Sequence, residues 1–340
     1  MKIEINTVKS RITTDNPKLL EALTSLYSFD IPGARYSPRY KRGHWDGKQR
    51  FISQNGSFYT GLLGRILKDL EKIECTPTID DNCPTSDGKV SVSEIPGFTY
   101  YPYQQKLIEL ALDGKRGVVK SPTGSGKTLI MAALVQALAG KKMVLLFNAK
   151  QLLTQSYDFL TKTCGMNNIG LCYGEGYIYG DVMLCTVQSI EKILDTHLEQ
   201  AEVLMIDECH EFSNGRTTLA AIRSFPNCQY RIGFTATPPK DKIPMYNLEG
   251  ALGSTWEVVQ TKDLVEAGTL TKPIIQLIKM PYTASGVDMD MSYIDVYETY
   301  IVHNEVRNNK IKEIADVIKN KNKAARILVL TKSLAHGRAL

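Results

Sequence analysis

The run Val118-Val119-Lys120-Ser121-Pro122-Thr123-Gly124-Ser125-Gly126-Lys127-Thr128 limits what this chain can become more than any other stretch. A short apolar strand enters a glycine-rich turn, and Lys-Thr then opens a helical segment, which is the setting of a phosphate-binding loop. Glycines let backbone N–H groups close around phosphate oxygens where a side chain would obstruct. The helix that follows offers unpaired N–H groups and the positive end of its dipole. In such a loop Lys127 reaches the β- and γ-phosphates and the Thr128 hydroxyl ligands Mg²⁺. One departure is visible. Ser121 stands where the general pattern has its first glycine, so the match rests on Gly124, Gly126, Lys127 and Thr128, with Pro122, Thr123 and Ser125 completing the cradle. The alternative is a glycine-rich turn that merely caps a helix.

A chain of 340 residues, 43% of them hydrophobic, can hold roughly two domains with ordinary cores. The net charge of +5 is too mild to imply nucleic-acid binding by itself. Its distribution says more. Arg35 to Arg50 carries six lysines and arginines against one aspartate, an excess equal to that of the whole chain. Tyr36, Tyr40, His44 and Trp45 interleave with Arg39, Lys41 and Arg42, so phosphate-pairing cations lie beside rings that can stack. A hairpin with a solvated basic edge, and Trp45 as a structural residue at the Asp46-Gly47 turn, would read the same way. Seven scattered cysteines without a Cys-x-x-Cys pair argue against a zinc ribbon and for reduced thiols in a cytosolic type of compartment. Neither a signal peptide nor a membrane span is legible.

Before this basic segment, Lys2 to Ile12 alternates as a half-buried strand does, and Asn16-Pro17 starts a helix. A second helix is expected over Gly61 to Ile73. Asp80 to Glu94 reads as the linker out of a small α/β domain spanning 1–96. Tyr101-Pro102-Tyr103-Gln104 then opens a helix ahead of the phosphate loop. Tyr101 could stack on adenine and the Gln104 amide could both donate to it and accept from it, or both could serve helix initiation alone. Strands at Met143 to Phe147, Val182 to Val187, Val203 to Asp207 and Arg231 to Thr235 alternate with helical stretches. That pattern predicts a parallel sheet with helices on both faces, and ligands beyond the carboxyl ends of its strands.

The polar motifs fall at those ends. Val203 to Ile206 delivers Asp207-Glu208-Cys209-His210 about 80 residues after the phosphate loop. Asp207 is placed to hold Mg²⁺, Glu208 to orient and deprotonate a water, and His210 to sense the γ-phosphate. Thr235-Ala236-Thr237 ends the next strand with two hydroxyls; alone it is a weak signal, and more often a turn.

In order and spacing, Ser121 to Thr128, Thr186-Val187-Gln188-Ser189, Asp207 to His210 and Thr235 to Thr237 resemble motifs I, Ib, II and III of superfamily 2 helicases. Asn148-Ala149-Lys150 through Gln155 sits where motif Ia belongs, and Tyr103-Gln104 resembles the adenine-recognition motif. The N-terminal run Ser37-Pro38-Arg39-Tyr40, Gly43, Trp45-Asp46-Gly47 and Arg50 is similar to that of phage UvsW-type helicases, which remodel branched DNA. The resemblance implies a basic DNA-binding domain ahead of two RecA-like domains, the first over 97–270 and the start of the second over 271–340. It implies an ATP- and Mg²⁺-dependent helicase or translocase acting on branched or forked DNA in replication, recombination or repair, in the cytoplasm (the host's, if phage-encoded). Thr235 and Thr237 would couple nucleotide state to the DNA track, with Lys150 and Gln188 near the DNA backbone.

Beyond 270, Lys272 to Met280 and Ala325 to Thr331 read as strands, the latter resembling motif IV. Ile294 to Asn320 reads as a helix whose Asn304, Arg307 and Asn308 lie on a solvated face. Motifs V and VI, with an arginine finger, are expected beyond Leu340, so the chain reads as part of a longer protein. A monomer is the default expectation. Rival readings are an RNA helicase, a restriction-type duplex translocase, or an ATP-gated nucleic-acid-binding module that does not move. A transporter-type ATPase is disfavoured, because no Ser-Gly-Gly signature separates the loop from the acidic strand.

Overall fold

The computed structural model describes residues 1–84, 90–280 and 291–340, so residues 85–89 of the expected linker lie outside it. The chain divides into two compact units, Met1–Lys272 and Pro273–Leu340.

The first unit begins with β1 (Lys2–Ile5), β2 (Lys9–Thr13), α1 (Pro17–Leu26), β3 (Ser28–Asp30), α2 (Pro38–Lys41), β4 (Lys48–Arg50), β5 (Ser57–Tyr59), α3 (Leu63–Glu71) and β6 (Thr78–Asp81). The single strand expected over 2–12 is a hairpin: Asn6 to Val8 turn the chain, and β1 and β2 pair antiparallel with Ile3 opposite Ile12. Alternation survives because each arm keeps its own period of two, with Ile3, Ile5 and Ile12 inward. The sheet runs β5-β2-β1-β6, and β3 and β4 form a separate ribbon. Asn16 caps α1, its side chain accepting from the Leu19 N–H at 3.2 Å, with Pro17 at the first helical position.

The rest of the unit is built from α4 (Pro102–Gly114), β7 (Arg116–Lys120), α5 (Lys127–Ala137), β8 (Met143–Phe147), α6 (Lys150–Asp158), β9 (Ile169–Tyr173), β10 (Gly176–Ile178), β11 (Val182–Thr186), α7 (Leu194–His197), β12 (Val203–Ile206), α8 (Arg216–Arg223), β13 (Tyr230–Thr235), α9 (Lys242–Leu252), β14 (Thr255–Glu257) and α10 (Thr261–Glu266). Eight strands lie in the order β10-β9-β11-β8-β12-β13-β7-β14, parallel throughout except the β9–β10 hairpin. The central strands β8 and β12 are apolar at every position because both faces are covered. Met143, Leu145 and Phe147 join one core, while Val144 and Leu146 join the other. The phosphate loop leaves β7 and the acidic motif leaves β12. Between these two strands lies β13, which ends in Thr235.

The small sheet is docked on α9. The Arg65 guanidinium grips Glu249 through Nε and a terminal nitrogen at 2.7–3.1 Å. Tyr246 inserts among Tyr27, Phe29 and Phe51, with ring centroids 4.8–5.8 Å apart. Gly61 lies so close to α9 that a Cβ there would collide with the Glu249 carbonyl and approach Gly250 O and Gly253 N to 2.8 Å.

In the second unit the described residues form helices only: α11 (Tyr293–Tyr297), a wide turn over Glu298–Val302, α12 (Glu305–Lys321) and α13 (Leu334–Ala339). The strands expected at 272–280 and 325–331 do not form. Ile274, Leu277, Leu328 and Leu330 are 82–91% exposed, and a strand without a neighbour has nowhere to direct its backbone donors. Asn308 is also not on a solvated face. It is buried, donating to the Val302 carbonyl at 2.8 Å and lying 3.2 Å from His336 Nε2, while Asn304 caps α12.

Candidate active site

Gly124 and Gly126 take φ of +80° and +83°, a region that side chains disfavour. A Cβ on Gly126 would also lie 2.5 Å from Gln104 Nε2. Ser121 explains its own departure from the pattern. Its hydroxyl is fully buried and lies 2.6 Å from Ser125 Oγ, which donates to the Pro122 carbonyl at 2.6 Å, so the serine pair braces the loop from inside. Thr123, Gly124 and Thr128 are exposed on the open side. α5 starts at Lys127 without a side-chain cap; the Leu129 N–H donates to the Gly126 carbonyl at 2.9 Å, which leaves the Lys127 and Thr128 N–H groups for an anion.

Gln104 is buried at 3% exposure, and both ends of its amide are used within the protein. Oε1 accepts from the Tyr101 N–H at 2.9 Å and Nε2 donates to the Ser125 carbonyl at 2.9 Å. The Tyr103 hydroxyl donates to that same carbonyl at 2.8 Å. In this structure, therefore, the expected adenine reader pins the phosphate loop to α4. The open aromatic surface belongs to Tyr101, half-exposed and stacked on Tyr103 at 5.7 Å. The role of Tyr103 had no separate signal in the sequence, since it depends on where Ser125 sits in space.

At the tip of β12, Glu208 adopts a left-handed conformation (φ 44°, ψ 49°) that non-glycine residues rarely hold. The next residue explains how it is kept there. Cys209 is fully buried against Gly233 of β13, where a Cβ would stand 2.7 Å from its sulfur. Lys127 Nζ lies 3.7 Å from Glu208 Oε1 and donates to the Ser121 carbonyl at 3.4 Å. Burial, and then the charge of Glu208, pushes the Asp207 carboxyl above the ordinary carboxylate range. His210 Nδ1 stands 2.9 Å from Thr235 Oγ1 and 3.4 Å from Glu208 Oε2. Thr235 also accepts the Ser121 N–H on its carbonyl at 3.1 Å, and the Thr237 N–H on its hydroxyl at 3.0 Å. Thr235 is buried and joins the loop to the acidic turn, whereas Thr237 is exposed.

No group of three or more metal-ligating side chains occurs among the described residues. This suits Mg²⁺ at a nucleotide, where one or two protein oxygens and the phosphates share the coordination. A carboxylate raised by burial beside a second carboxylate is a donor set that a divalent cation would relieve.

Of the residues expected near nucleic acid, Arg39, Lys41 and Arg42 are exposed on and after α2, with no carboxylate partner among the described residues. Trp45 is different: its indole N–H donates to the Lys48 carbonyl at 3.0 Å and the ring is half-buried, bracing the turn at Gly47. Arg50 is paired with Asp46. Lys150 and Gln188 are exposed at the carboxyl ends of the neighbouring strands β8 and β11, with the Lys150 ammonium 4.5 Å over the Tyr173 ring.

Residues 97–240 match the family described as type III restriction enzyme, res subunit, and residues 6–80 match DNA helicase UvsW, N-terminal. The chain is 25% identical to the ATP-dependent DNA helicase uvsW of Enterobacteria phage T4, over 94% of this chain and 68% of that protein. It is 25% identical to a putative DNA 3'-5' helicase Rad25 of Halobacterium salinarum, over 53% of this chain and 30% of the relative. The fold is similar to the crystal structure of T4 UvsW (TM-score 0.62, 20% identity), covering 100% of this chain and 72% of that one.

Fold, loop and acidic strand tip together define a RecA-like P-loop ATPase. The matches narrow this further: the family matches over 6–80 and 97–240, together with the similarity to the T4 uvsW helicase, support a superfamily 2 ATP-dependent helicase of the UvsW type.

Proposed function

We propose that the chain uses ATP hydrolysis to remodel or unwind branched or forked DNA, in phage replication, recombination or repair. The observation that carries the ATP-hydrolysing part of this reading is the approach of the Lys127 ammonium to the Glu208 carboxylate, 3.7 Å apart across the loop mouth, with Thr235 bonded to both motifs; the DNA part is supported by the UvsW matches. Ser121 to Thr128 cradles the phosphates, and Lys127 neutralises the β- and γ-phosphate oxygens. Thr128 and Asp207 would hold Mg²⁺, which when bound offsets charge on the phosphates. Glu208 orients the attacking water and takes its proton on a carboxylate oxygen. Tyr101 offers its ring to the base, and Gln104 keeps the loop in place beside it. His210, Thr235 and Thr237 form the coupling path. Arg39, Lys41 and Arg42 contact phosphates through a basic N-terminal domain (1–96), with Lys150 and Gln188 on the track of the RecA-like domain (97–270). Residues 271–340 would begin a second such domain.

All seven cysteines are free thiols, which supports a reducing compartment such as the cytoplasm. No described helix is long and apolar enough to cross a membrane. A monomer is the state proposed. A second reading, a duplex translocase that does not separate strands, is favoured by the restriction-subunit match over 97–240.

The test measures phosphate release and strand displacement with forked, four-way, linear duplex, single-stranded and RNA substrates. Branched DNA should stimulate most, and displacement should accompany hydrolysis. Hydrolysis with linear duplex and no displacement selects the translocase. Lys127→Ala should lose at least ~10²-fold in turnover while oligonucleotide binding persists; wild-type turnover in that variant would remove the assignment.

A further inference from the structure

Between the small sheet and helices α8 and α9 lies a groove of about 850 Å³. Lys9 and Arg11 from β2, Arg50 from β4 and Arg223 from α8 line it, and no acidic residue does. The strand period explains the first two: Ser10 and Ile12 face the core, so Lys9 and Arg11 face out together, about 7 Å apart along the strand. Glu4 stands opposite Arg11 in the register and lies 3.4 Å from Lys2, which is held more closely by Asp80 at 2.8 Å. Arg50 is matched by Asp46. Lys9, Arg11 and Arg223 have no carboxylate partner among the described residues.

Arg223 is the least ordinary of these. Its guanidinium lies 3.6 Å from the centre of the Tyr59 ring and donates to the Asn247 carbonyl at 3.3 Å, yet its Nε is buried without any hydrogen-bond partner. Burial pulls it below the ordinary arginine range. That Nε is closed to solvent, so a phosphate oxygen in the groove would meet the rest of the guanidinium, whose charge no carboxylate among the described residues offsets. Lys9 Nζ lies 5.4 Å from the centre of the same ring. Tyr59 is thus occupied by cations and not open for a base to stack, which points to backbone rather than base contacts. Gln49 and Asn247, joined at 2.9 Å, also line the groove and make it continuous with the Arg35–Arg50 segment.

We propose that this groove binds the sugar-phosphate backbone of nucleic acid through Lys9, Arg11 and Arg223, as an anchoring surface additional to Arg39, Lys41 and Arg42. The inference rests on the nucleic-acid reading above. Its test is fluorescence anisotropy of labelled forked and single-stranded oligonucleotides over a range of salt, with the whole chain and with Lys9→Gln/Arg11→Gln. Each lost phosphate contact lowers the slope of log K against log[salt] by about one. The double variant should therefore lose about two units of slope with an unchanged melting midpoint. Should the double variant unfold, the single variants should each lose about one unit. Arg223→Lys keeps the charge but not the planar fork, and should weaken binding without the full loss of slope. Wild-type binding with an unaltered slope in the variants overturns the groove. A wild-type chain that binds no oligonucleotide overturns the proposed function itself.

Discussion

Asp207 illustrates how a single side chain is made useful at a cost to the fold. Its carboxyl is pushed up by burial first and by the Glu208 charge second. A raised acid holds its proton more tightly in the folded chain than in the unfolded one. Its contribution to stability is therefore full below the ordinary carboxylate value and is lost as pH rises through the raised one. At neutral pH the charged form is a burden. Asp207→Asn should raise the melting midpoint by a few degrees at about pH 7, give no gain at about pH 3 where the native acid is already neutral, and lose Mg²⁺-dependent ATPase. An equal shift at both pH values would mean the effect is not electrostatic. The types of residue at this site are legible from spacing alone, because Asp207 and Glu208 follow directly on the apolar run of β12 and Lys127 opens the helix after the glycine-rich loop that leaves β7. The work of Gln104 is not legible. An amide that could face a base and one that ties Ser125 to α4 have identical sequence signals, and only tertiary proximity separates them.

At the level of elements, the strands that could be read were the fully buried ones. Val182–Cys185 and Val203–Ile206 are apolar without interruption because helices cover both faces. β14 escapes notice because Thr255–Glu257 contains one apolar residue, and its place at the sheet edge is set by Trp256 lying over Gly114 and Gly117, where a Cβ would come within 2.7 and 2.5 Å of the indole. The hairpin of β1 and β2 was hidden because each arm alternates on its own period and only a three-residue turn, across which the inward positions shift from odd to even, separates them. Residues 325–331 failed for the opposite reason: an apolar run suggests a strand, but pairing partners decide it. The joint between the small sheet and α9 carries a prediction of its own. Gly61 leaves no room for a methyl group beside the Glu249 carbonyl, so Gly61→Ala must push α3 and α9 apart. Its cost should be at least ~2 kcal/mol by denaturant titration, in the range of other overpacking changes. A change within ~0.5 kcal/mol would show that the joint is slack.

On the scale of the molecule, residues 271–280 carry no regular structure, are largely exposed, and contain the boundary between the two units. Brief proteolysis should cut there first and leave a fragment ending near Lys272 that still binds nucleotide, because every residue of the phosphate site lies on its amino-terminal side. Initial cleavage inside 97–250 would count against that division. Within the first unit, the Arg65–Glu249 grip and the Tyr246 cluster hold the basic lobe to the helix immediately before β14. The same helix offers Asn247, whose amide donates to the Ser213 carbonyl at 3.1 Å, and Ser213 in turn donates to the carbonyl of His210. A lobe seated this tightly has no hinge of its own. On the proposed function, a polymer held by this lobe would travel with the ATP-binding sheet as one piece.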